Sequence, residues 1–124
     1  MKIMIAEPLP GLANFISKGL TAEGHAVEIR RTRESALQLL GAFHFDLLIL
    51  ELNLPDGGLM LLQQLRAEGG RVHVIILTEH PLTPMTAIRL QPLDVAAYIT
   101  KPFSYSKLAI QVNELAAREA ILPA

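Results

Sequence analysis

Glu7, Glu51, Thr78 and Lys101 are far apart in the chain, yet each lies at or just beyond the end of a short apolar run. Those runs are Ile3-Met4-Ile5-Ala6, Leu47-Leu48-Ile49-Leu50, Val72 to Leu77 and Ala96 to Ile99. Two carboxylates, a hydroxyl and an ammonium gathered at one edge of a sheet can bind a hydrated divalent cation and an anionic group. A hard cation such as Mg²⁺ takes oxygen ligands in near-octahedral geometry, commonly one or two carboxylates with water and phosphate oxygens. Lys and Thr can then hold phosphoryl oxygens by charge and hydrogen bond. The same groups also allow a plainer arrangement, in which Lys101 neutralises the carboxylates as a structural ion pair.

The elements that would position these groups follow from hydrophobic period. Residues 3–6 read as a buried strand. After Pro8-Leu9-Pro10-Gly11, the positions Leu12, Phe15, Ile16, Gly19 and Leu20 mark one helical face, stopped by Gly24. Val27 and Ile29 alternate with charges, as in a less buried strand. Ala36, Leu37 and Leu40 mark a short helix ended by Gly41, and Asp46 to Glu51 is a central strand. The turn Pro55-Asp56-Gly57-Gly58 leads to a Leu-rich helix through Leu65, closed by Gly69-Gly70. Thr83-Pro84 is a helix start, with an N-cap and a proline in the first turn, and Pro92 must end that helix early. Ser104 opens a last helix with Leu108, Val112, Leu115 and Ala116 inward. Five strands alternating with five helices predict an α/β doubly wound parallel sheet covered on both faces. Its functional crevice should lie beyond the carboxyl ends of the strands.

Composition narrows the function classes. A chain of 124 residues suits one domain, with a core from about residue 2 to 117 and residues 118–124 as the end of the last helix and a linker. Lys and Arg number 11 against 12 Asp and Glu, for a net charge of -1; a domain that grips nucleic acid normally shows a basic excess. With no cysteine, a disulfide scaffold, a thiolate metal site and a cysteine nucleophile are excluded. No run reaches the ~20 apolar residues of a membrane span. The expectation is a soluble, cytoplasmic domain with no direct contact to nucleic acid or membrane. Nine Glu but only three Asp (Asp46, Asp56 and Asp94) leave little for chemistry built on clustered aspartates.

Several segments together resemble the response-regulator receiver domain of bacterial-type two-component (phosphorelay) signalling. They are KIMIAEPLP at the start, GHAVE at 24–28, LILELNLP at 47–54, LT at 77–78 and YITKPF at 98–103. The likeness runs from Lys2 to about Ala117. It implies a flavodoxin-like (CheY-like) fold with five parallel strands in the order 2-1-3-4-5. In ordinary members an aspartate ending strand three accepts a phosphoryl group from a kinase histidine. An acidic pair after strand one helps to hold Mg²⁺, a Thr or Ser and a Lys contact the phosphoryl group, and an aromatic residue changes rotamer. By position Thr78, Tyr98 and Lys101 match these roles, and the resemblance makes Lys101-Pro102 a candidate cis bond, X-Pro being where cis is cheap.

The departures from the pattern matter as much. Glu51 stands at the phosphoacceptor position, and the acidic pair has become Glu7-Pro8, without the second acid that usually ligates the metal. Glu79 replaces a small residue after the Thr and adds negative charge near the entrance. The turn after Pro55 is one residue short of the common pattern, and the segment from Thr78 to Lys101 one residue long. Losing a carboxylate weakens Mg²⁺, which would otherwise offset the charge of the reacting groups. Glu moves its carboxylate by roughly 1.5 Å relative to Asp, and displacements near 1 Å cost about a hundredfold where in-line geometry matters. The expectation is a pseudo-receiver: not an enzyme, no catalytic residue, no cofactor, and at best weak Mg²⁺ at Glu7 and Glu51. Glu51 would either imitate a phosphoaspartate toward Lys101 or form a plain ion pair with it. Two rivals are a working Mg²⁺-dependent phosphoacceptor that regulates an attached or separate DNA-binding effector, and a flavin or nucleotide domain. The latter lacks the glycine-rich phosphate loop after strand one.

The partners implied are proteins: a histidine kinase, an effector domain or another signalling protein. A homodimer through helix four, strand five and helix five is compatible with the resemblance, although Ala96-Ala97 replaces a common acidic pair and leaves Arg89, Lys107 and Arg118. Lys107 also stands where a Glu would complete a capping box with Ser104. His25, His44, His73 and His80 are scattered and read as surface or turn residues. Asp56-Gly57-Gly58 lacks the Lys-Ser/Thr of a phosphate loop, and Arg30-Arg31-Thr32-Arg33 reads as a solvated basic face.

Overall fold

A computed structural model describes residues 1–121; Leu122-Pro123-Ala124 of the expected linker lie outside the described residues. The strands are β1 (Lys2–Ala6), β2 (Ala26–Arg30), β3 (Leu47–Glu51), β4 (His73–Thr78) and β5 (Ala97–Thr100). The helices are α1 (Pro10–Ala22), α2 (Arg33–Ala42), α3 (Gly58–Ala67), α4 (Pro84–Leu90) and α5 (Tyr105–Ile121), with a 3₁₀ turn at Gln91–Leu93. All four strand pairings are parallel, in the order β2-β1-β3-β4-β5. This is the flavodoxin-like order that the resemblance implied.

Alternate residues of the central strands enter two separate cores, as the period of two in a strand requires. Met4, Leu48, Leu50, Val74 and Ile76 pack with Ala36, Leu61, Leu62 and Leu90 from α2, α3 and α4. Ile3, Ile5, Leu47, Ile49, Ile75 and Leu77 pack with Ile16 and Leu20 of α1 and Leu108, Val112 and Leu115 of α5. Every residue of β3 is buried, which explains its unbroken apolar run. β2 is an edge strand with no buried position. No described helix is long and apolar enough to cross a membrane.

The structure corrects several local expectations. β4 and β5 each start and end one residue later than their apolar runs, because Thr78 and Thr100 continue the ladder as partners. α2 runs through Gly41 to Ala42 before Phe43 ends it. Phe15 is 55% exposed and lies edge-on to Tyr105, with ring centroids 6.1 Å apart. The same tyrosine ring lies against Gly19, where a Cβ would collide with it. α4 is short, as Pro92 demands, and Leu90 is its one buried residue. Thr83 caps it by accepting from the Thr86 N–H at 3.2 Å.

Candidate functional site

The four side chains meet at the carboxyl edge of the sheet because β1, β3, β4 and β5 are adjacent and parallel there. Backbone hydrogen bonds continue past the strand ends and hold the loops in place. The Glu7 N–H donates to Arg30 O at 3.1 Å, Leu52 N–H to Leu77 O at 2.9 Å and Lys101 N–H to Thr78 O at 2.8 Å. α3 starts close against β3: a Cβ on Gly58 would lie 2.6 Å from the Leu52 carbonyl oxygen. Gly57, the residue before that helix, has φ +102°, a conformation that suits glycine.

Lys101 bridges the two acids. Its Nζ donates to Glu7 Oε1 at 2.8 Å and lies 3.0 Å from Glu51 Oε2. Glu7 is 0% and Glu51 2% exposed, while the Lys101 side chain is 12% exposed. Glu7 Oε2 and Glu51 Oε1 have no aligned hydrogen-bond partner, although the Asn53 N–H lies near enough to the Glu51 carboxylate to favour its charge, and Glu51 Oε2 has the ammonium at ion-pair distance without an aligned hydrogen bond. Two carboxylates against one ammonium leave this cluster formally one negative charge in excess. Burial pushes the Glu51 carboxyl above the ordinary carboxylate range; Lys101 opposes that shift and the Glu7 charge adds to it. Burial works to lower the Lys101 pKa, but its contacts with Glu7 and Glu51 outweigh this and raise it.

The other residues singled out in the sequence are placed less centrally. Thr78 is 4% exposed, and its hydroxyl donates to His80 O at 2.8 Å, so its proton is committed within its own loop. Tyr98 is on β5 and 43% exposed, so it faces outward. The Lys101-Pro102 bond is cis. Above Lys101 opens a cavity of about 490 Å³ lined by Leu12, Glu79, His80, Lys101, Pro102 and Phe103. Neither Glu7 nor Glu51 lines it.

One contact went unread in the sequence. Both Asp56 carboxylate oxygens accept from the Arg33 N–H at 2.8 Å, which ties the loop after β3 to the first turn of α2. By sequence Asp56 reads as a turn residue and Arg33 as part of a solvated basic face. The signal was available in outline, since a first-turn N–H needs an acceptor from elsewhere. His44 pairs with Asp46 at 3.1 Å and His73 with Glu119 at 2.6 Å. Among the described residues no three metal-ligating side chains are grouped to hold an ion.

Comparison with known proteins agrees with the fold. A family model described as the response regulator receiver domain matches residues 3–113. The transcriptional regulatory protein PmrA of Pectobacterium parmentieri is 36% identical over 95% of this chain and 53% of its own length. The two-component response regulator PhoP of Pseudomonas aeruginosa is 29% identical over 97% of this chain and 53% of its own. The chain thus spans about half the length of these curated relatives. Among solved structures, the receiver domain of the Francisella response regulator 1452 is 28% identical with a TM-score of 0.86, covering 95% of this chain and 98% of that one.

Proposed function

Because this chain belongs to the response regulator receiver domain family, we propose that it is a two-component signalling module that works by protein contacts without phosphoryl transfer. The observation that carries this reading is the state of Glu51. It stands where the resemblance puts a phosphoaccepting aspartate, is 2% exposed, and faces the Lys101 ammonium at 3.0 Å. An acceptor carboxylate must reach a phosphorus atom in line with the leaving group, and this one is covered.

The Mg²⁺ that the family implies does not fit these residues. Pro8 offers no side-chain oxygen, and the two carboxylates present are already bridged by Lys101. Mg²⁺ also gives up its waters reluctantly, whereas neither carboxylate faces the cavity. Thr78 supports the same reading, because its hydroxyl proton is committed to His80 O. Glu51 imitates a phosphoaspartate only in bringing one negative charge to Lys101, since a phosphoryl group carries about -1.5 to -2 charges and three acceptor oxygens.

The partners this reading calls for are a histidine kinase, an effector domain or another signalling protein. The relatives named as transcriptional regulators are about twice as long, so an output on DNA would belong to an attached or separate effector. A second copy is a further partner for the α4–β5 side, where Met85, Ile88 and Tyr98 are exposed at 62%, 66% and 43%. Incubation with acetyl phosphate and Mg²⁺, read by intact mass, tests the proposal. The mass is expected to stay unchanged; a Mg²⁺-dependent adduct mapped to Glu51 would establish the working phosphoacceptor instead.

A further inference from the structure

We propose that Met60 is a methionine-oxidation site whose sulfoxide is held by the Arg33 guanidinium, so that reaction with a peroxide fastens α3 to α2. Met60 lies in the first turn of α3 and is 57% exposed. Its side chain folds back over the residue before the helix: a Cβ on Gly57 would lie 3.3 Å from Met60 Cβ and 3.4 Å from its Sδ. From there the sulfur meets α2, where Arg33 Nη1 donates to it at 3.2 Å. Arg33 is the first residue of α2, and Asp56 holds its backbone N–H from the loop just before α3. The guanidinium therefore starts from a fixed point, and among the described residues it has no carboxylate at ion-pair distance.

As it stands the pair is poorly matched, because a thioether is a weak acceptor and a guanidinium offers several strong donors. With hydrogen peroxide, a sulfur lone pair attacks one oxygen and the O–O bond breaks. The departing hydroxide takes the proton of the transferred oxygen, so the products are the sulfoxide and water; sulfur is oxidised and the peroxide reduced by the same electron pair. The new S–O oxygen is a strong acceptor beside a cation, and such charge-assisted hydrogen bonds are the stronger kind. Because Met60 is exposed, the polar product need not enter the core, and α3 keeps Leu61, Leu62 and Leu65 buried. Sulfoxide reductases reverse the change. The other methionines supply the contrast. Met4 is fully buried within the core and closed to peroxide. Met85 is exposed, but among the described residues the Met60 sulfur alone accepts a hydrogen bond.

Hydrogen peroxide treatment of the Met85→Leu chain, followed by peptide mapping and thermal unfolding, tests this. Met60 is expected to gain one oxygen and Met4 none. Oxidation should raise Tm by roughly 3 °C, and methionine sulfoxide reductases should return it to the starting value. Arg33→Ala in the same background keeps the backbone N–H that Asp56 holds; it should oxidise at Met60 without the rise. Met60→Leu in that background should show no response of Tm to peroxide, which separates the effect from oxidation of Met1. If Arg33→Ala does not fold, Arg33→Leu takes its place under the same criteria. A Met60 left unmodified would overturn the proposal. So would a Tm that stays or falls on oxidation, or a rise that persists without the Arg33 guanidinium or without Met60. A phosphoryl adduct on Glu51 would overturn the functional reading and leave this proposal standing.

Discussion

Lys101→Met is expected to lower stability by about 3–5 kcal/mol at neutral pH, the usual consequence of removing one partner of a buried ion pair. Glu7 and Glu51 would be left 0% and 2% exposed with no opposing charge at hydrogen-bond distance. The sign of the pH dependence follows from which state prefers the ion. With the ammonium gone, burial and the Glu7 charge keep the Glu51 carboxyl raised in the folded chain with nothing from Lys101 to oppose them. Ionising Glu51 then disfavours folding, so the deficit opens as pH rises through the unfolded carboxylate range of about 4 and reaches its full size above the raised folded value. Thermal unfolding of wild type and variant at pH 4 and pH 8 should show the gap widening with pH. The wild-type Lys101 acts in the opposite sense. Its folded pKa is raised, so its contribution is full below the unfolded value and is lost as pH rises through the folded one. Glu51→Gln is the complementary control. Glu51 is raised in the folded chain, so its own ionisation opposes folding at pH 8, while Glu7 remains to pair with Lys101. That variant should hold or gain stability at pH 8. A Lys101→Met chain as stable as wild type at pH 8 would contradict the buried cluster.

Gly58→Ala is expected to destabilise by about 3 kcal/mol, or roughly 10 °C in Tm for a chain of this size. The added methyl would meet the Leu52 carbonyl at 2.6 Å to oxygen and 2.9 Å to carbon, and the Glu51 carbonyl oxygen as well. These are backbone atoms of the β3 exit and cannot rotate aside as a side-chain tip would. Alanine ordinarily favours a helix over glycine by up to about 1 kcal/mol; here the collision outweighs that gain. Gly41→Ala serves as the comparison, since nothing lies within 4 Å of a Cβ there and α2 includes that residue. It should be neutral or stabilising. Equal Tm values for the two variants would show that α3 does not start against β3 as described.

The pattern of apolar runs was enough to find the five strands and the five main helices. The order of the strands came from the resemblance, carried by segments such as LILELNLP and YITKPF. Boundaries at Thr78 and Thr100 were not visible, because their place in the ladder depends on pairing with each other and not on their polarity. Phe15 follows the helical period but sits at the margin of the stripe, where Tyr105 meets it from another helix. The Asp56–Arg33 tie joins the loop after β3 to the first turn of α2, 23 residues away, a separation at which local periodicity is silent. In the site, residue type and strand-end position placed Glu7, Glu51, Thr78 and Lys101 near one another. Pairing of Lys101 with the carboxylates was one of the two arrangements that residue type allowed; that the Thr78 hydroxyl turns to His80 depends on a side-chain rotamer that spacing does not encode.

The central claim is that the strand-end pocket is filled from within and closed to both a metal and a phosphoryl group. Backbone amide NMR of the wild-type chain, titrated with Mg²⁺ and then with beryllofluoride, tests it most directly. No saturable shifts are expected at Glu7, Glu51, Thr78 and Lys101, and none at the outward-facing Tyr98. Saturable Mg²⁺-dependent shifts at those strand ends, followed by a second set at Thr78 and Tyr98 on adding beryllofluoride, would contradict it.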